Sequence, residues 1–160
     1  MAYISQVKGF GRASGPGDLT FQAPHHVTVD AFGRILATDA LGDCVKVFDP
    51  RRGNLLAQFG DRGAAAASGA KGRSGPPTSL DGPRGICCDS RGNVIVCDTG
   101  NSRLAVYSPD GRFISAVALG GSVGCWPLAS AVDTEDWLAV TVQDGRGAFR
   151  KVAIYQTEHA

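Results

Sequence analysis

Pro24 to Phe59 reads PHHVTVDAFGRILATDALGDCVKVFDPRRGNLLAQF, and Pro83 to Val117 reads PRGICCDSRGNVIVCDTGNSRLAVYSPDGRFISAV. Laid on each other without gaps, the two run in step at an offset of 59 residues through a third strand. Pro24 falls on Pro83, Asp30 on Asp89, Gly33 on Gly92, Asp39 on Asp98 and Phe48 on Tyr107. A third, worn copy starts at Pro127 and keeps Asp133, the run Trp137 to Thr141 and the run Val152 to Tyr155. Self-similarity of this kind marks an array whose units cannot bury their own apolar faces alone and must stack.

Each unit parses into four short strands. In the second copy, Arg84 to Cys88 is a continuous apolar run, as a strand buried on both faces requires. Asp89-Ser90-Arg91-Gly92-Asn93 is a turn, with Gly92 free to take positive φ and the Asp able to cap backbone N–H groups. Val94 to Cys97 is the second strand, and Arg103 to Tyr107, after the turn Asp98 to Ser102, is the third. Pro109-Asp110-Gly111 is a hairpin signal, and Arg112 to Val117 then alternates as a half-exposed outer strand does. The first copy predicts strands at His26–Val29, Arg34–Thr38, Cys44–Phe48 and Asn54–Phe59. The third predicts Ala129–Val132, Trp137–Thr141 and Lys151–Tyr155, with no fourth. Ile4 to Phe10 resembles an outer strand without predecessors. No segment carries a sustained helical period, so the class is all-β.

Four-stranded antiparallel units in series predict a β-propeller, which closes with about four to eight blades. This chain supplies an orphan outer strand, two full blades and three strands of a last one, twelve strands or about three blades. The expected organisation is a partial propeller over residues 1–160, with repeats at 24–60, 83–118 and 127–156. Residues 60–82, rich in Gly, Ser and Ala, read as a flexible, solvated insertion. Two outcomes follow from the strand count. Either two copies close head to tail into a six-bladed ring, each lending Ile4–Phe10 to the other's last blade, or the chain is the C-terminal half of something longer.

Composition narrows the function classes. A length of 160 residues gives one modest domain, and a net charge of +1 gives no global field toward nucleic acid or acidic membranes. The opening MAYISQVKGFG lacks the apolar run of a signal peptide. Three of the five cysteines, Cys87, Cys88 and Cys97, fall in apolar strand patterns, where a thiol packs as a small hydrophobe. Together these predict a reducing, cytoplasmic location without a disulfide framework.

The pattern Pro83-x-Gly85-Ile86-x-x-Asp89-x-x-Gly92-Asn93-Val94, continuing through Asp98, Asn101 and Arg103 to Val106-Tyr107, resembles an NHL repeat. Pro24 to Phe48 matches less fully, with His26 where Gly is usual and Asp43-Cys44 in place of the polar-Arg pair. The last unit, ending Lys151-Val152-x-x-Tyr155, is similar to the C-terminal end of TRIM-NHL ubiquitin ligases. That resemblance implies a six-bladed propeller recognising protein or RNA, with zinc-binding RING and B-box modules upstream. No Cys-x-x-Cys pair occurs here, so only the recognition half is implied, and ligase activity cannot come from these residues.

In a propeller the loops from fourth to first strand and from second to third strand share one face. That face collects Arg12, Arg62, Lys71, Arg73, Arg84, Arg103, Arg146 and Arg150 against Asp18, Asp39, Asp43, Asp61, Asp81, Asp98 and Asp144. Near cancellation argues against a strong footprint for RNA. Arg62, Arg84, Arg103, Arg146, Arg150 and Trp126 are the candidate contacts for a partner, Trp126 because it precedes Pro127 in a loop. Arg103 has a competing structural role as the ion-pair partner of a turn carboxylate. Trp137, in the run WLAVT, is expected in the core. His25-His26 is tempting chemistry, but a metal site needs three or more converging ligands and the remaining His is His159. No catalytic motif is present, and no cofactor or metal is expected. The sequence thus predicts a non-catalytic recognition scaffold for a protein partner, such as the substrate-recognition part of a ubiquitin-ligase-type protein. RNA binding through the arginine-bearing face is one alternative. A metal-dependent lyase- or lactonase-like propeller enzyme is the other.

Overall fold

In a computed structural model of the protein, the described residues are 20–61, 78–119, 125–144 and 149–156. They form three antiparallel sheets. The first contains β1 (Pro24–Val29), β2 (Ile35–Asp39), β3 (Cys44–Phe48) and β4 (Leu55–Phe59). The second contains β5 (Pro83–Cys88), β6 (Val94–Asp98), β7 (Arg103–Tyr107) and β8 (Phe113–Ala118). The third contains β9 (Cys125–Val132), β10 (Trp137–Asp144) and β11 (Phe149–Gln156). Strands neighbour one another in chain order in every sheet. This is an all-β, incomplete propeller, its sheets not closed into a ring. Among the described residues no helix is long and apolar enough to cross a membrane. The outer strand expected at Ile4–Phe10 and residues 62–77 of the insertion lie outside the described residues.

The first turn of each blade is built by one carboxylate. Asp30 Oδ1 accepts the N–H groups of Phe32 and Arg34 at 3.0 and 2.9 Å. Asp89 does the same for Arg91 and Asn93 at 3.0 and 2.7 Å, and Asp133 for Glu135 and Trp137 at 2.9 and 2.8 Å. The turn then needs a residue at positive φ, supplied by Gly33 (72°) and Gly92 (81°). In the third blade Asp136 takes that conformation (61°), which side chains rarely adopt. Its carboxylate accepts the backbone N–H of Ser90 at 2.8 Å and the Ser90 hydroxyl, tying the third blade to the second.

The inner strands β1, β5 and β9 stand side by side, and the second sheet is the filling of a sandwich. Leu36, Val45, Val47 and Phe59 of the first blade pack on Ile86, Val94, Val96, Ala105 and Tyr107 of the second. On its other side Cys87, Ile95, Cys97 and Leu104 pack on Leu138, Val140 and Val142 of the third. This two-sided burial is what the unbroken apolar run of β5 and β6 encodes. Trp137 departs from the core expectation and is 43% exposed. It lies one residue out of phase with Leu138, Val140 and Val142, and the period-two alternation of a strand turns it to the opposite, open face. Trp126 belongs to β9, paired with Gln143, and is half-buried rather than a loop residue. The strand starts earlier than expected because β10 continues to Asp144 and pairs with Cys125.

Candidate functional site

The face carrying the β2–β3 turn and the entry to β1 is held by two carboxylates at the same place in the repeat. Asp98, wholly buried, accepts Asp81 N–H (2.8 Å), Asn101 Nδ2–H (2.8 Å) and Arg103 Nε–H (2.6 Å). Arg103 also donates from Nη2 to the Ser79 carbonyl at 2.7 Å, so its guanidinium staples the segment entering β5 to the β2–β3-type turn of that blade. Burial pushes the Asp98 carboxyl up, against the opposing pull of Asn101, the Asp81 amide and Arg103. In the first blade, Asp39 accepts Ala23 N–H (2.7 Å) and Gln22 N–H (3.0 Å). The arginine's place is taken by Cys44, and the cation comes from Lys46, two residues on along the same face, whose Nζ reaches Asp39 Oδ2 at 3.1 Å. Burial raises the Asp39 carboxyl, but the Ala23 and Gln22 amides and Lys46 outweigh it and hold it below the ordinary carboxylate range. Lys46 also donates to the Thr20 carbonyl and lies over the Phe21 ring, 4.9 Å from its centroid. Sequence reasoning missed Lys46. The available signal was the cysteine at the arginine position, which leaves a buried Asp needing another cation.

Among the described residues, Asp39, Lys46, Asp98 and Arg103 on this face are spent on tying each blade's entry segment to its own turn. Asp43 joins in by accepting the N–H of Gly82 at 2.8 Å from the segment leading into β5. Arg84 and His25, which share one repeat position, remain exposed near the mouth of the inner-strand wall. Leu41, at the tip of the β2–β3 turn, is 70% exposed. Burial, the charge of Arg84 and the charge of His26 all hold the His25 imidazole below its ordinary pKa.

His26 is structural. Its Nδ1 accepts the N–H of Ile86 at 3.2 Å, its own N–H donates to Thr38 Oγ1 at 3.0 Å, and Thr38 Oγ1 donates to the Arg84 carbonyl at 2.7 Å. One histidine and one threonine thus stitch the first blade to the second, beside a bulge between Pro24 and Val27 in the β1–β2 ladder that recurs between Pro83 and Ile86 in the second blade. Below them lies an open concavity of about 280 Å³, lined by Val27 to Val29, Ile86 to Cys88 and Ser130 to Val132. Burial pushes the thiols of Cys88 and Cys97 up to about 12, so both are protonated at neutral pH and poor nucleophiles. Among the described residues no group of three or more His, Cys, Asp or Glu side chains is placed to hold a metal ion.

Of the six candidate contacts, Arg84 is exposed, Arg103 is engaged by Asp98 and Ser79, and Trp126 is half-buried in β9. Arg62 and Arg146 lie outside the described residues. Arg150 falls within β11, its side chain outside the description.

The Asp98–Asn101–Arg103 knot and the Asp89 turn fall in the stretch that matches the NHL repeat family, residues 80–107. The chain carries an NHL repeat in an incomplete β-propeller. Relatives of this NHL-repeat chain include Protein lin-41 of Caenorhabditis elegans, 36% identical over 75 residues. RING finger protein nhl-1 of the same organism is 36% identical over 80 residues. The matches cover 47% and 50% of this chain, but only 6% and 7% of those relatives' length. Among solved structures, a catalytically inactive virginiamycin B lyase from Staphylococcus aureus superposes with a TM-score of 0.55 at 13% identity, over 83% of this chain and 41% of that one. At that identity the likeness is one of fold.

Proposed function

We propose that the NHL blades form a non-catalytic recognition module whose loop face, around Leu41, His25 and Arg84, binds a protein partner. The observation that carries this reading is the way the face's charges are used. Asp39, Asp98, Lys46 and Arg103 are consumed as staples, and Leu41 stands out of the face at 70% exposure. Among the described residues, an exposed leucine on the same face as one exposed arginine, Arg84, and an imidazole held below its ordinary pKa suits an apolar, weakly charged peptide surface. A phosphate backbone would be met by a row of cations. The match to RING finger protein nhl-1 supports a role as the recognition part of a ubiquitin-ligase-type assembly. Five free cysteines, three of them buried, support a reducing, cytoplasmic setting. The fold likeness to a lyase leaves an enzyme as the contrasting reading. The high thiol pKa values and the structural engagement of the carboxylates support the non-catalytic one.

Selection of the purified chain against a displayed random-peptide library and, in parallel, a random RNA pool tests this. The expected result is enriched peptides whose affinity falls at least about tenfold, the cost of removing one hot-spot contact, when Leu41→Glu is introduced. Enrichment of RNA alone, with affinity falling steeply with salt, would overturn it.

A further inference from the structure

Each inner strand carries a proline at one repeat position, and the residue after it is His25 in the first blade, Arg84 in the second and Leu128 in the third. Each of the three lies in a β-bulge. The register skips between Pro24 and Val27, between Pro83 and Ile86, and at Leu128 opposite Thr141 and Val142. A bulge gives a strand one extra residue and re-aims a side chain. It does so here in all three blades, on the face that carries the β2–β3 turn. Read across the inner strands, the three positions are an imidazole, a guanidinium and an isobutyl group. His25 and Arg84 are exposed, and Leu128 is half-buried.

The first two positions are fastened to each other through the backbone. Thr38 Oγ1 accepts the N–H of His26 at 3.0 Å and donates to the Arg84 carbonyl at 2.7 Å, so one hydroxyl spans from the neighbour of His25 to Arg84 itself. No carboxylate answers the pair. Among the described residues the ion pairs are Asp30 with Arg34, Asp39 with Lys46 and Asp98 with Arg103, and Arg84 is in none. The acidic groups on the elements packed against β1 and β5 have other partners. Asp39 on β2 is wholly buried and bonded to Gln22, Ala23 and Lys46, and Asp98 on β6 is held by Asn101 and Arg103. In the adjoining segments Asp43 accepts the N–H of Gly82 at 2.8 Å, and the Asp81 carboxyl packs against Gly100. β9 carries no charged residue. The charges that act on His25 are those of Arg84 and His26, and both oppose its protonation.

We propose that His25 and Arg84 form an anion site for one Asp or Glu side chain of a bound peptide, and that Leu128 seats an apolar residue of the same peptide. This rests on the reading that the loop face recognises a protein, and it names the residue type recognised. A carboxylate over the pair meets the guanidinium at any working pH and the imidazole once that is protonated. The opposite charge favours the protonated imidazole, so the peptide takes up a proton as it binds, and affinity rises as pH falls. Stacked sheets stand about 10 Å apart and an extended peptide advances about 3.3 Å per residue, which sets the acidic and apolar residues about two or three positions apart. A row of phosphates would meet this pair at one charge and a leucine at the next.

Panning a displayed random-peptide library on the unmodified chain and, side by side, on Arg84→Glu tests this. Peptides enriched on the parent should carry Asp or Glu close to an apolar residue, and those enriched on Arg84→Glu should carry Lys or Arg in its place. For one selected acidic peptide, replacing its carboxylate by the amide should lower affinity about tenfold, the equivalent of one pKa unit of pairing. Lowering the pH from about 7.5 to about 5.5 should raise its affinity by about tenfold on the parent and leave it level on His25→Asn. Enriched peptides without an acidic residue, the same peptides on Arg84→Glu, or an affinity flat with pH overturn the paired anion site and leave the recognition reading standing. No enriched peptide at all, or enrichment of RNA alone from a parallel random pool, overturns both. Should Arg84→Glu lose its β signal in far-UV circular dichroism, Arg84→Gln decides: it should weaken the acidic peptide, and an unchanged affinity overturns the site.

Discussion

Arg103→Ala separates a structural arginine from a contact arginine. The substitution removes the 2.6 Å bond to Asp98 Oδ2, the 2.7 Å bond to the Ser79 carbonyl, and the guanidinium 5.9 Å from the Phe113 ring centroid. Asp98 is left at 0% exposure with Asn101 and the Asp81 amide as its remaining donors. Breaking a buried ion pair from one side costs about 3–5 kcal/mol where no other donor remains. Two surviving hydrogen bonds and the partial exposure of Arg103, 16% for its side chain, reduce this to about 2–3 kcal/mol. For a domain of this size that corresponds to a fall in Tm of about 5–10 °C. Arg84→Ala, at an exposed site, should stay within about 0.5 kcal/mol, or roughly 2 °C. Thermal unfolding followed by far-UV circular dichroism reads both variants. If Arg103→Ala melts within roughly 2 °C of the parent, the staple is not holding the blade and the structural assignment of Arg103 fails.

Two further outcomes follow from the blade junction and its mouth. A Cβ at Gly85 would meet Ala129 Cα at 2.7 Å and Cys97 Sγ at 2.9 Å, and the backbone of β9 cannot yield cheaply. Gly85→Ala should therefore cost about 1–3 kcal/mol in chemical denaturation, and an unchanged midpoint would mean the second and third blades stand further apart than described. At the mouth, burial, Arg84 and His26 keep the folded His25 pKa below 6.5. The unfolded chain therefore takes up this proton first as pH falls from 6.5, and stability declines from there down to the folded pKa. Arg84→Gln should raise the His25 midpoint in an NMR titration; no movement would show that Arg84 does not act on it.

The array, its strands and its turns were legible because they repeat. Asp30, Asp89 and Asp133 each cap a turn by local hydrogen bonds within four residues, and such geometry is written in consecutive letters. The structural role of Arg103 was legible for the same reason, since Asp98 lies five residues away on the adjoining strand. Lys46 was not, because its service to Asp39 depends on a substitution at Cys44 and on which side chains share a face. Trp137 was misplaced because a run of apolar letters does not say where the alternation begins. Its neighbour Leu138 is buried because the second blade lies on that side, whereas Trp137 on the other is 43% exposed.

By itself, then, the sequence determined the blade: four strands, their turns and the carboxylates that cap them, all set by contacts between residues near in the chain. Only the tertiary structure decided which apolar residues are core and which are open. Val45 and Val152 are both valines at one repeat position, yet one is 0% and the other 61% exposed. The difference lies in whether another blade stands against them, and no local stretch of sequence can encode the presence of a neighbour.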